Sequence, residues 1–303
     1  MNKIIRIGTR KSALAVAQAK LVADALTAAF AAEGNTLNAE LVLKQTEGDR
    51  ILHKPLLEFG GKGVFVAEFE QALLQGEIDF AVHSAKDLPM ELEEGLGILA
   101  VPRREDPRDV LITLKGSSHL GKQEIVIGTS SLRRKIQIED IGKTMWPESS
   151  VVCRNLRGNV QTRLLKLVNG EFDGILLAAA GLIRLGLQND SQYDFHYFDC
   201  EEFIPAGGQG ILAVEGRLGS GQEAFVKMIE DEEARLCLTL ERRILRLMEA
   251  GCHEPVGVYA RLEAGRLEIF GISKRGEDTK RIHIWGETAE LERLARLAAD
   301  GLS

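Results

Sequence analysis

The hydrophobic and polar positions of this chain form two long stretches that echo one another and a third that does not. In the first, the apolar run Ile4 to Ile7 leads into Gly8-Thr9-Arg10-Lys11-Ser12, and residues 11 to 31 place a polar residue every third or fourth position in an Ala/Leu-rich sequence. That is the period of a helix following a short strand. In the second, Ile125 to Ile127 leads into Gly128-Thr129-Ser130-Ser131-Leu132-Arg133-Arg134 and another helical pattern. Each stretch later passes through a Gly-Glu-x-Asp signature into a further apolar run, at Gly76-Glu77-Ile78-Asp79 and at Gly170-Glu171-Phe172-Asp173. The shared order predicts two similarly built α/β lobes. Ligands of open α/β sheets bind at the carboxyl ends of strands, so arginines placed just after the strands predict an anion-binding cleft between the lobes.

The remaining pattern fills in this plan. Leu41 to Lys44, Asp79 to Val82 and Leu96 to Val101 read as strands, and Val66 to Leu74 as a helix. Pro89 forbids a regular helix immediately after the second of these strands, so Ser84, Lys86 and Asp87 belong to a strand-end turn. Between Thr46 and Val64 the periodicity gives way to Glu47-Gly48-Asp49 and Gly60-Gly61-Lys62-Gly63, a candidate lid without the spacing of a phosphate-binding P-loop. Pro102 to Pro107 reads as a crossover, and Phe203 to Gly216, headed by Pro205-Ala206-Gly207-Gly208-Gln209-Gly210, as a return crossing that completes the first lobe. From about Met228 the pattern becomes one amphipathic helix, a loop through Ala250-Gly251-Cys252-His253-Glu254-Pro255, three alternating strands and a last helix. The expected boundaries are 1–102 with 203–224 for the first lobe, 103–202 for the second and 225–303 for a small α+β domain.

Composition narrows the chemistry. The 303 residues are 45% hydrophobic and carry a net charge of -7, which argues against a general nucleic-acid or anionic-membrane binder and confines positive charge to a local site. No charged n-region followed by an apolar segment precedes Ile4, and no apolar run approaches the roughly 20 residues of a membrane span, so the chain reads as cytosolic. Four cysteines without C-x-x-C or zinc-finger spacing read as free thiols, and no metal site is expected.

Arginine donates two parallel hydrogen bonds to a carboxylate and keeps its charge. Arg10, Arg133, Arg134, Arg157, Arg163 and Arg184 fall at strand-to-helix junctions or early in the following helix. One such arginine is most often part of a solvated helix face, but a set at equivalent junctions suits a ligand with several carboxylates. Asp87 reads either as a general acid/base and anionic partner for a developing cation, or as a turn aspartate capping its own backbone. Cys252, on a loop, is a candidate nucleophile or covalent anchor, whereas Cys153 and Cys237 sit in apolar patterns typical of inert thiols. His83 and His253 show no metal spacing and read as hydrogen-bonded structural residues.

With these residues in place the chain resembles the hydroxymethylbilane synthase, or porphobilinogen deaminase, family over essentially its whole length. The motifs run in order as Ile7–Ser12, Gly60–Gly63, Ala81–Pro89, Arg104–Asp109, Gly128–Arg134, Leu156–Arg163, Ala178–Arg184, Pro205–Gly210 and Gly251–Gly257. The resemblance implies two periplasmic-binding-protein-like α/β lobes, an active-site cleft between them and a third domain bearing the cofactor cysteine. It implies a monomeric cytoplasmic transferase that joins four porphobilinogen molecules head to tail and releases hydroxymethylbilane. The primer would be dipyrromethane, held by a thioether to Cys252 and contacted by Ser84, Lys86, Asp87, Thr129, Ser130, Ser131, Arg133, Arg134, Arg157 and Gly158. Substrate carboxylates would meet Arg10, Ser12, Arg133, Arg157, Arg163, Arg184 and Gln209, and catalytic Asp87 would stabilise the cationic azafulvene left by departing ammonia. Ala250, Gly207 and Glu254 depart from the family's usual residues near the cofactor loop and the return crossing. A non-enzymatic solute-binding protein shares the two-lobe plan but not the Cys252 loop, and an RNA-binding role fits poorly with 5% aromatic residues.

Overall fold

The computed structural model describes residues 2–44, 66–118, 121–250 and 254–303. The glycine-rich stretch expected to be a lid, and Gly251, Cys252 and His253, lie outside the described residues. Contacts divide the chain into two units, Met1–Glu105 with Ile211–Thr239, and Asp106–Gly210 with Leu240–Ser303.

The first unit is built on strands β1 (Asn2–Arg10), β2 (Thr36–Lys44), β3 (Phe80–Ser84) and β4 (Leu96–Ala100) with helices α1 (Ala13–Ala32) and α2 (Ala67–Leu74). The second carries β5 (Asp109–Leu114), β6 (Glu124–Gly128), α3 (Leu132–Met145), β7 (Ser150–Arg154), α4 (Val160–Val168), β8 (Gly174–Ala178), α5 (Ala179–Arg184) and β9 (Tyr193–Tyr197). Strand β10 (Leu212–Arg217) returns to the first unit, followed by the short helix α6 (Glu223–Val226) and by α7 (Glu232–Leu247). Strands β11 (Val256–Glu263), β12 (Arg266–Arg275) and β13 (Asp278–Glu287) form an antiparallel sheet closed by α8 (Leu291–Leu302).

The two larger sheets have one topology. Their orders are β2-β1-β3-β10-β4 and β7-β6-β8-β5-β9. In each, the first three strands are parallel and the fourth, which enters from a crossing segment, runs antiparallel to both neighbours. The repeated Gly-Glu-x-Asp has one job in both. Asp79 accepts from the Arg6 amide at 2.7 Å while its own amide donates to the Arg6 carbonyl at 2.8 Å. Asp173 does the same with Val126, at 2.8 Å in each direction. A part-buried backbone pair is thus satisfied at the point where the helix hands over to the next strand. Gly8 and Gly128 also correspond: a Cβ would meet Ile78 at 2.5 Å in one case and Phe172 at 2.9 Å in the other.

Three expectations change in detail. Helix α1 has the length and composition of a membrane span, at a mean hydropathy of 1.4, contrary to the reading that no run comes close. Its inner residues Ala19, Val22, Ala23 and Leu26 pack with Ile5, Ile7 and Phe80 as a core helix. Phe225 and Val226 join that same core, so the chain is still building the first lobe where a third domain was expected to start. The small sheet, in turn, belongs to the second unit, where Tyr259, Phe270 and Ile272 pack on Cys200, Ile204 and Ile136.

Candidate active site

In the first unit the candidates gather at the carboxyl ends of β1 and β3. Arg10 ends β1, and Ser12 caps α1, its Oγ accepting from the Ala15 amide at 3.3 Å. After β3 the chain makes one 3-10 turn, Ala85–Asp87, which Pro89 keeps from continuing. Ala85 and Leu88 are buried, and the Ala85 amide donates to the Ile211 carbonyl at 3.0 Å, so Asp87 is turned outward with Lys86 half-buried beside it. The Asp87 carboxylate is exposed and makes no hydrogen bond or ion pair among the described residues, which removes the backbone-capping alternative. Ser84 Oγ accepts from Gln18 Nε2 at 2.9 Å and keeps its own proton to donate. His83 is the structural histidine expected, its Nε2 lying 2.8 Å from Glu215 Oε2.

In the second unit the loop after β6 is tightly bonded to itself. Thr129 Oγ1 accepts from the Ser131 amide at 3.2 Å, and Ser131 Oγ caps α3 through the Arg134 amide at 3.4 Å. Ser130 donates to the Leu156 carbonyl at 2.9 Å and accepts from its amide at 3.1 Å, fastening the neighbouring turn. In that turn Arg157 is exposed, Gly158 has a φ of 114°, and a Cβ there would meet Thr162 at 2.8 Å. Only glycine fits this combination. Asn159 caps α4 as expected, accepting from Thr162 at 2.8 Å, while Arg163 donates to the Gly158 carbonyl at 2.7 Å. Arg184 closes the short helix α5 rather than opening one, and donates to the Gly210 carbonyl at 2.6 Å. Gln209 is fully buried and donates to the Pro107 carbonyl at 2.7 Å, so it ties the two crossing segments together instead of presenting an amide to solvent.

Arg133 and Arg134 are placed differently from a solvated helix face: only 4% and 7% exposed, both bind Asp109. Arg133 Nη1 donates to Asp109 Oδ2 at 2.6 Å and to the Ile204 carbonyl at 2.7 Å. Arg134 Nε donates to Asp109 Oδ1 at 2.8 Å and its Nη1 to the Leu176 carbonyl at 3.0 Å. Burial pushes the Arg133 guanidinium down from its ordinary value and Asp109 opposes this, with Arg134 adding repulsion. Two guanidinium groups on one carboxylate leave positive charge unbalanced in a low-dielectric setting, which an added carboxylate would neutralise. The residues therefore fit a carboxylate-bearing cofactor.

Sequence reasoning gave no role to three parts of this arrangement, although Asp109 and Gly257 each close a motif it singled out. Asp109, a charge opening an apolar strand, is the centre of the arginine cluster. Glu241, fully buried on α7, accepts from Gly208 at 2.6 Å and from Ala260 at 2.8 Å, joining the return crossing to β11. Gly257 permits close approach: a Cβ would meet the Ile204 carbonyl at 2.9 Å and Arg133 Cδ at 3.0 Å. At Gly207, the unusual glycine of the return crossing, Leu245 fills the space a side chain would need.

The other cysteines have no reactive setting. Cys237 is buried, and burial holds the Cys153 thiol up at about 12 with Glu139 adding to it. Cys200 borders a cavity of about 450 Å³ with Asp106, Arg108, Asp199, Glu202 and Arg261. Its arginines are already paired, Arg108 to Asp106 at 2.6 Å and Arg261 to Glu201 at 2.8 Å, so it suits a polycarboxylate poorly.

Comparison with known proteins agrees with the motifs. Residues 5–224 match the family described as porphobilinogen deaminase, dipyromethane cofactor binding domain, and residues 235–299 match porphobilinogen deaminase, C-terminal domain. The chain is 42% identical over 302 residues to a porphobilinogen deaminase of Syntrophobacter fumaroxidans (strain DSM 10017 / MPOB), covering 97% of this chain and 93% of that protein. It is 41% identical over 271 residues to one of Ruminiclostridium josui, covering 89% and 87%. Among solved structures, a putative periplasmic sulfonate-binding protein SsuA from Methylobacillus flagellatus KT aligns at 12% identity over 79% of this chain and 68% of that one. Its TM-score of 0.39 is too low to carry an argument. The chain belongs to the porphobilinogen deaminase family, transferases that condense four porphobilinogen molecules on a bound dipyrromethane and release hydroxymethylbilane.

Proposed function

We propose that in this chain Asp87 carries the condensation, Cys252 anchors the primer, and the arginines hold the carboxylates of primer and substrate. The observation that carries the reading is the outward Asp87 carboxylate, without a partner among the described residues, on a turn whose apolar residues are locked into the core. When bound, dipyrromethane supplies the free pyrrole α-carbon on which the product grows. Loss of ammonia from an aminomethylpyrrole leaves a cation, and a carboxylate held at hydrogen-bond distance from its N–H stabilises that charge more than it stabilises the substrate. Asp87 does this, and Lys86 beside it offers an ammonium to a neighbouring carboxylate. Ser12 and Ser84 accept from protein groups and retain hydroxyl protons to donate. Arg133 and Arg134 supply fixed positive charge, and Arg10, Arg157, Arg163 and Arg184 extend the set. Cys252 precedes Gly257, where β11 passes against Arg133, by five residues. The setting proposed is a cytoplasmic monomer, in keeping with the net charge of -7.

Intact mass and steady-state kinetics test this together. The purified chain should carry an adduct that Cys252→Ala lacks, and that variant should make no hydroxymethylbilane. Adduct-bearing Asp87→Asn should lose about 10² to 10⁴ in kcat with little change in KM. Normal turnover by Cys252→Ala, or a change in KM alone for Asp87→Asn, would refute the respective assignment.

A further inference from the structure

Strand register aligns the two lobes residue by residue. Gly8 pairs with Ala81 as Gly128 pairs with Ile175, and Ala213 pairs with His83 as Val110 pairs with Leu177. By the same count Glu215 corresponds to Ile112, since their partners are Ala81 and Ile175. The second lobe thus fills with Leu177 and Ile112, both buried, the two positions that the first lobe gives to His83 and Glu215. The fold does not require a polar pair there, and a buried ion pair replaced by apolar residues is often neutral or stabilising.

The first lobe nevertheless holds one under demanding conditions. The Glu215 side chain has no exposed surface and that of His83 has 9%. Glu215 Oε2 meets His83 Nε2, whereas Oε1 is buried with no hydrogen-bond partner among the described residues. Phe69 packs edge-on against the His83 ring at 5.7 Å. The next residue is held as well: Ser84 bonds Gln18 of α1, where the second lobe has Ala178. Two consecutive residues are therefore fixed by directional side-chain bonds from different elements, immediately before the turn that presents Asp87.

We propose that His83 and Glu215 are a positioning pair for Asp87, their hydrogen bond fixing the end of β3 so that the carboxylate is held in its productive place. This rests on the reading of Asp87 as the residue that stabilises the developing cation. Small misplacement of a reacting group costs rate far more than binding.

The test transplants the second lobe's pair into the first, as His83→Leu with Glu215→Ile, in full-length protein whose primer adduct is confirmed by mass. The melting temperature should stay level or rise, and kcat should fall by about 10²-fold with KM within about twofold. Glu215→Gln keeps an acceptor for His83 and should return kcat to within about threefold of the unaltered protein. In an Asp87→Glu background, where the carboxylate is already displaced, the double substitution should cost little more. The proposal is overturned if the double variant melts early, showing that the fold needs the pair, or if it turns over normally. It is also overturned if Glu215→Gln is as slow as the double variant, or if the losses multiply fully in the Asp87→Glu background. Should Asp87→Glu alone leave turnover unchanged, the reading of Asp87 fails and takes the proposal with it, an outcome separable from failure of the pair by that single variant.

Discussion

Ser12 in the first lobe and Ser131 in the second cap the helices that follow β1 and β6, and Asp79 and Asp173 latch back onto those same strands. The lobes part company at the fourth strand. Where β10 opens with Leu212, paired with Ser84, β5 opens with Asp109, paired with Ala178. Asp109 draws Arg133 and Arg134 inward, so the second lobe keeps its strongest charges under cover. The first lobe has an apolar residue at that position and turns Asp87 outward. One topology therefore carries two electrostatic arrangements, a covered cluster with surplus positive charge in the second lobe and a carboxylate presented outward in the first.

Transplanting the first lobe's residue into the second should give the largest effect. Asp109→Leu is matched in register to Leu212 but strands two buried guanidinium groups, and should cost about 3 to 5 kcal/mol in urea unfolding. A loss under about 1 kcal/mol would mean that the cluster is not charge-coupled as described. The Asp latches should behave alike. Asp79→Ala and Asp173→Ala each remove a charge-assisted bond to a backbone amide, and each should cost about 1.5 to 3 kcal/mol, the two values agreeing closely. A large inequality would break the equivalence of the lobes. Ser12→Ala and Ser131→Ala should each cost about 1 kcal/mol through loss of the cap.

The smallest effect belongs to Glu70 of α2, which faces the first lobe's polar pair. Its carboxyl is held above the ordinary glutamate value of 4.5, first by burial, with the charge of Glu215 adding to it against the Glu93 amide that lowers it. A raised native value means stability that is present below the ordinary value and lost as pH rises through the native one. Glu70→Gln should therefore melt slightly higher than the unaltered protein at neutral pH, and the two should converge as pH falls below the ordinary glutamate range. Equal melting at all pH values would detach Glu70 from this account.

What the sequence could and could not show follows from the same physics. The repeated Gly-Thr turns, the Gly-Glu-x-Asp signatures and the apolar runs were legible because they are local and periodic. The helical cap at Asn159 and the stop at Pro89 were legible for the same reason. Strand β9 carried a signal that the reading leaves out, since Tyr193-Asp194-Phe195-His196-Tyr197 alternates aromatic and polar residues with the period of an edge strand. The motif arginines were identified, but their burial depends on Asp109, more than 20 residues away in sequence and brought to them through β5–β8 and β6–β8 pairing. Glu215 carried a readable hint, a lone charge within Leu212-Ala213-Val214-Glu215-Gly216, a run otherwise fit for a buried strand.

The sheet order also sets a timetable for the ribosome. Strands β5 to β9 are contiguous in the chain, so the second lobe has every strand it needs as soon as Tyr197 has emerged. The first lobe has no such luck, because the place between β3 and β4 is reserved for β10. From Ala100 to Leu212 the nascent chain lengthens by roughly 110 residues, which at typical synthesis rates takes about 5 to 20 s. Throughout that interval both strands flanking the gap have an edge awaiting its partner, a template for pairing with another chain. The lobe that begins first is thus the one that finishes last, and crowded synthesis exposes it to misassembly far longer than its companion.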